Sequence, residues 1–192
     1  MISDTANKLA GGMQHAHRRL VDLAGHPIAA DGLALLGRLT LAGVFWRSML
    51  TKVETVRLWS YQDVINGHDV TRYHWRVPAL PLELKASAVS LFRDEYALPV
   101  IPPEIAAWMA MLAEFALPLA LILGLFTRLS ALALIGMTMV IQLLVYPDAW
   151  WSTHALWVSI AGALVLYGPG RFALDNLLGK LFSAPLRRAE QG

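Results

Sequence analysis

The sequence contains no cysteine. That excludes disulfides, thiol nucleophiles, thiolate-held iron–sulfur clusters and covalently attached haem on this chain. Charge is scarce as well. Asp, Glu, Lys and Arg make up 16% of the 192 residues, against about a quarter in a soluble domain. The pI near 9.1 reflects a net charge of only +2, and no basic run with interleaved aromatics occurs. The footprint of a nucleic-acid-binding protein is therefore missing. A cleavable signal peptide needs a short apolar core, and "MISDTANKLAGGMQHAHRRLVDLAGHP" has none. Metal-ligand spacing is lacking too. His68 and His74 stand near Asp63 and Asp69 in no recognised pattern, and bis-histidine haem b lacks a second intramembrane histidine.

Apolar residues are what the chain has in abundance. They make up 56% of it, and mean hydropathy is +0.49, a balance that points to a membrane protein. Four segments approach the roughly 20 residues needed to cross a bilayer: Leu33 to Val53, Glu104 to Leu123, Arg128 to Tyr146 and Ser152 to Tyr167. Pro102 and Pro103 suit the start of the second helix. Gly124 as a C-cap and Thr127 as an N-cap make "GLFTR" a tight link between antiparallel neighbours. The expected fold is all-α, a four-helix transmembrane bundle over residues 31–178. A soluble helical core would need polar faces that these helices lack.

Residues 1–30 read as an amphipathic leader, with Leu9, Met13, Ala16, Leu20 and Leu23 on one stripe. Residues 179–192 form a basic tail. Between the first two spans, residues 57–101 are expected to form an ordered extracytoplasmic cap of short helices. Turn signals stand at Asn66-Gly67 and Pro78 to Pro81, and "PLELKASAVSLFRDEY" has amphipathic helical spacing. Lys8, Arg18, Arg19, Arg128, Arg171, Lys180, Arg187 and Arg188 fall on the side of both termini, while "YPDAWWST" opposite has no basic residue. This asymmetry predicts a multi-pass protein of the bacterial cytoplasmic (inner) membrane with both termini cytoplasmic, and with Trp150 and Trp151 at the far interface.

Ionisable groups inside such spans are costly and turn toward partners or cavities. At about 1.5 Å per residue, Glu114 lies about 15 Å down its helix and Arg47 about 10 Å from the same side. An Arg47–Glu114 pair is expected, and these two are the candidate catalytic residues. A structural ion pair is the alternative reading. Pro118 lacks the N–H that would bond the Glu114 carbonyl. His154, Gln142 and Lys52 fall in the same half and are candidate ligand-binding residues. On the other side Arg38 and Arg128 are expected to meet Asp175 of "GPGRFALD" as a structural clamp. An apolar pocket with a few convergent polar groups is the usual form of a small-molecule site. A quinone head group would find here donors for its carbonyls and groups to handle protons.

The stretches "GRLTLAGVFWRSMLTKV", "LFRDEYALPVIPPEIAAWMAMLAEFALPLALILGLFTRLSAL", "VIQLLVYPDAWWSTHALW" and "YGPGRFALD" occur in the order characteristic of one family. In these residues the chain resembles the DoxX family of small four-helix membrane proteins. Two departures stand out: Met49 follows Ser48 where relatives carry Gly, and residues 57–85 look like an insertion. The resemblance implies a redox neighbourhood, since relatives are linked to a thiosulfate:quinone oxidoreductase, to membrane redox complexes and to copper- or peptide-handling operons. The expected function is a quinone-interacting subunit of a membrane redox complex, with a quinone as the one cofactor and none covalently bound. The alternative is a non-catalytic anchor or assembly partner. Expected partners are the bilayer and a protein on the extracytoplasmic loop, and self-association stays open.

Overall fold

A computed structural model of the chain describes residues 12–15, 17–19, 21–22 and 26–179, without the side chains of residues 60 and 71–74. Residues 12–15, 17–19 and 21–22 are helical. Leu9, Ala16, Leu20 and Leu23 of the expected leader stripe, and residues 180–192 of the tail, lie outside the described residues.

Helix α1 runs Pro27–Lys52. It opens with His26, whose side chain accepts the Ile28 N–H, followed by Pro27 at the first position, where a missing N–H costs nothing. A two-stranded antiparallel sheet follows, β1 Thr55–Ile65 and β2 His68–Pro78. The expectation of short helices here is corrected. Asn66 and Gly67 both take positive φ, 53° and 80°, the geometry of a two-residue hairpin turn. The flanking residues are aromatic or β-branched at a density that favours strands over helices. The register pairs Val56 with Val77 and Trp59 with Trp75, with an irregularity around Trp59. The chain then returns to the end of α1, where Lys85 N–H bonds the Lys52 carbonyl and Glu54 N–H bonds the Glu83 carbonyl. The expected amphipathic helix appears as α2, Ala86–Leu91, extended by a wider turn through Tyr96.

Helices α3 (Pro103–Leu123), α4 (Thr127–Leu144) and α5 (Ala155–Tyr167, preceded by short turns from Pro147) complete the bundle. Together with α1 they give four helices long and apolar enough to cross a membrane. Only 17–33% of each apolar window is buried in the protein, so most of its apolar side chains keep some exposed surface. That pattern suits lipid and would be untenable in water. We call the end bearing the hairpin the cap end and the opposite one the turn end.

Gly124 ends α3 at φ 67°, with its N–H on the Leu121 carbonyl and that of Leu125 on the Ala120 carbonyl, a Schellman arrangement. A Cβ there would stand 1.8 Å from Arg38 Nη1, so glycine is needed on two counts. The expected Thr127 cap is corrected. Asp175 supplies it from afar, its two carboxylate oxygens accepting the N–H groups of Phe126 (2.7 Å) and Thr127 (2.8 Å). A carboxylate suits the positive end of a helix. Neither Arg38 nor Arg128 makes a hydrogen bond or ion pair to Asp175 among the described residues. Arg38, fully buried, donates from Nη2 to the Phe172 carbonyl, and the Arg128 guanidinium lies against Gly168. Asp31 instead binds Arg171, through both its backbone N–H and its guanidinium.

The helices pair as α1 with α3 and α4 with α5, with thinner contacts between the pairs. Toward the turn end the pairs meet in one core: Leu41, Ala42 and Phe45 of α1, Leu121 of α3, Leu134 of α4, and Ala161 and Leu164 of α5. Toward the cap end they do not close.

Candidate functional site

The unclosed region is a partly open cavity of about 920 Å³. Its cause is visible in the sequence. Along α1 the residues facing it include Thr40, Gly43, Val44, Arg47, Ser48 and Lys52, spaced three and four apart along the helix. Along α3 they include Ala106, Ala110, Ala113, Glu114 and Leu117, and α4 adds Ala133, Met137 and Val140. Glycine and alanine on three facing stripes leave room that larger residues would fill. A Cβ built on Gly43 would meet nothing within 4 Å. Phe92, Tyr96, Leu98 and Ile101 also line the space, extending the wall into the segment that follows the hairpin.

One end of the wall is polar. Glu114, 2% exposed, is held by Lys52, whose Nζ lies 2.7 Å from Oε2 and 2.9 Å from Oε1. Ser48 Oγ donates to Glu114 Oε1 at 2.9 Å and accepts from Lys52 Nζ at 2.9 Å. This corrects the expected Arg47–Glu114 pair. Ser48 and Lys52 are four residues apart and share the face of α1 turned to α3. Arg47 is one residue off, rotated by about 100° around the helix. It borders the cavity and makes no hydrogen bond or ion pair among the described residues. Depth along the helix favours Arg47 for Glu114, but helical phase turns Lys52 toward it instead.

His154 and Gln142 do come together. His154 is 3% exposed, and its Nδ1 lies 2.6 Å from Gln142 Oε1. Gln142 Nε2 in turn donates to the Pro147 carbonyl. The imidazole leans on Trp157 at 5.3 Å, and Trp157 leans on Phe45 at 5.4 Å. His154 and Trp157 reach the cavity wall, whereas Gln142 stands behind His154. Pro118 is buried within α3, one turn beyond Glu114.

The sequence reading missed Tyr96 and Tyr146. Tyr146 Oη donates to Glu95 Oε1 at 2.7 Å, and the two tyrosine rings meet edge to face at 5.9 Å. Both border the cavity and tie the segment after α2 to the end of α4. Burial raises the Tyr96 pKa, and the bond to Glu95 raises that of Tyr146 above the ordinary phenol range. Both therefore remain neutral donors. The signal was present in "RDEY" and "VY", two polar-aromatic ends either side of the second and third spans, but nothing local linked them.

Chemically, the arrangement offers a largely apolar wall, one unpartnered guanidinium, one oriented imidazole and one buried ion pair. Among the described residues no cluster of three or more His, Asp or Glu could hold a metal. No curated protein and no solved structure matches the chain. A family model does, over residues 33–147, the stretch that contains the cavity's helical walls from α1, α3 and α4: the chain belongs to the DoxX family.

Proposed function

We propose that the cavity binds a lipid-soluble amphiphile with a polar ring head, a quinone-type molecule, and that the chain serves as the quinone-interacting subunit of a membrane redox complex. The observation that carries this reading is an apolar cavity of about 920 Å³ whose polar groups gather at one end. Its volume is within the range of small-molecule and cofactor sites. Arg47 supplies a donor to one ring oxygen and His154 faces the other. The Lys52–Glu114–Ser48 cluster fixes the polar end without spending its own hydrogen bonds on the ligand. On this reading, electrons pass between the bound ring and a partner protein of the complex. In this reading the cap end is extracytoplasmic and both termini are cytoplasmic, as the basic residues beside the turn end favour.

The test is extraction of lipids from the purified protein with mass spectrometric detection of quinones, beside the Gly43→Phe variant. Gly43 borders the cavity with open space before it, so phenylalanine fills the site without striking backbone. Quinone retained by the parent and lost from the variant supports the reading. Equal amounts in both, or none in either, overturns it.

A second reading rests on the hairpin. Trp59 and Trp75 pair across the strands and are 66% and 69% exposed, an unusual display of large aromatics. As a non-catalytic anchor, the chain would present this ribbon to a protein partner. Removing residues 55–78 then abolishes partner capture, while Gly43→Phe leaves it intact.

A further inference from the structure

The hydrogen bonds around His154 fix the tautomer of its ring. A backbone carbonyl only accepts, so the Gln142 group facing Pro147 must be the amide nitrogen. The Gln142 oxygen therefore faces the imidazole, and His154 Nδ1 must be the donor in that 2.6 Å contact. In the neutral ring the proton is then on Nδ1, and Nε2 carries a lone pair. His154 Nε2 makes no hydrogen bond in the described structure. Among the described residues the sealed side-chain atoms without a partner are Arg38 Nε, Arg38 Nη1 and Thr127 Oγ1, so Nε2 is not sealed, and His154 lines the cavity. Contacts with Trp157, and through it Phe45, hold the ring plane.

We propose that the cavity selects the reduced, hydroxyl-bearing form of its ring ligand, a hydroquinone-type head group. One hydroxyl donates to His154 Nε2 and the other ring oxygen accepts from Arg47. An oxidised quinone presents only carbonyl oxygens. Its first carbonyl can accept from Arg47, but its second would set lone pairs against the lone pair of Nε2. Glu114 does not favour the quinone: Lys52 and Ser48 fill both positions of Oε1 and one of Oε2, and a carboxylate only accepts, so its remaining position also calls for a hydroxyl. Leaving a buried acceptor unpaired costs more than a hydrogen bond gains. A site built around one hydrogen-bonding hydroxyl discriminates accordingly against analogues that lack it. Gln142 is the positioning residue: it acts through His154 by holding the tautomer.

This inference rests on the quinone-type reading of the site, and one experiment separates the two. The full-length protein in micelles is titrated calorimetrically with a short-tailed hydroquinone kept reduced under anaerobic conditions, with the matching quinone, and with the hydroquinone dimethyl ether. The hydroquinone is expected to bind about tenfold more tightly than either of the others. His154→Phe is expected to bring the three affinities together, which a merely structural role for the imidazole would not do. Gln142→Leu keeps the ring but frees the tautomer, and it is expected to erase most of the preference even if His154→Phe fails to fold. Equal parent affinities for hydroquinone and quinone, or tighter quinone binding, overturn the inference and leave the quinone-type reading standing. Binding of none of the three overturns both. A preference that survives in both variants overturns the roles given to His154 and Gln142.

Discussion

Replacing Lys52 by methionine should destabilise the bundle more than almost any other single change at the cap end, and removing Glu114 as well should restore most of the loss. In the parent, the Lys52 and Glu114 side chains are 6% and 3% exposed and 2.7 Å apart. Solvent screening is therefore small. Lys52→Met leaves a buried carboxylate with only the Ser48 hydroxyl, and stranding one member of a buried pair costs about 3–5 kcal/mol. Glu114→Met strands the ammonium and should cost a similar amount. The double variant strands neither charge and puts two flexible apolar chains into the same volume. Pairs exchanged in this way are often neutral, so its loss is expected to stay within about 1–2 kcal/mol of the parent. The coupling between the two sites then exceeds about 4 kcal/mol, close to a thousandfold in the folding equilibrium. Reversible unfolding in mixed micelles with increasing SDS, followed by tryptophan fluorescence, reads all four proteins. Additive losses in the double variant, or single variants as stable as the parent, would refute the reasoning.

Three further outcomes are expected. Gly124→Ala should cost at least about 2 kcal/mol, because it combines a strained φ with a Cβ 1.8 Å from Arg38 Nη1. The same unfolding assay checks it, and a loss under 0.5 kcal/mol would contradict the close approach. Asp175→Ala removes the acceptor for two backbone N–H groups and should cost about 1–2 kcal/mol, with Asp175→Asn costing less. Tyr146, held protonated by its bond to Glu95, and Tyr96, held so by burial, should resist titration past pH 10, read as a shortfall in phenolate absorbance. Since both folded pKa values are raised, their contribution to stability is present below the unfolded value near 10 and is lost as pH climbs through the folded ones. Tyrosines that all titrate near pH 10 would show that these two are not held as described.

Much of the bundle was legible because its signals are local. Apolar length gave the four spans, Pro102 and Pro103 marked the start of α3, and Gly124 marked its end. The hairpin is less legible: Asn66-Gly67 marks its turn, but the irregularity at Trp59 interrupts the strand alternation, and the helical spacing of "PLELKASAVSLF" follows directly. The site was legible in composition and not in pairing. Glu114, Lys52, His154 and Gln142 were all identified, but linear depth cannot tell Arg47 from Lys52, whereas a rotation of about 100° per residue can. Asp175 on the α4 terminus, and Asp31 with Arg171, join parts of the chain more than a hundred residues apart in one case and about fifty in the other. No periodicity announces such contacts. The cavity itself was written in the stripe of Gly43, Ala106, Ala110, Ala113 and Ala133, which reads as ordinary membrane-helix composition until the helices are set face to face.

The most direct test of the central claim is photolabelling of the membrane-embedded protein with an azido-quinone, followed by peptide mapping. The cavity account expects label concentrated on the walls, at Met137, His154 and Trp157, and displaced by excess hydroquinone. Label spread over outward-facing residues such as Leu132 and Leu143, undiminished by competitor and unchanged in Gly43→Phe, would contradict it.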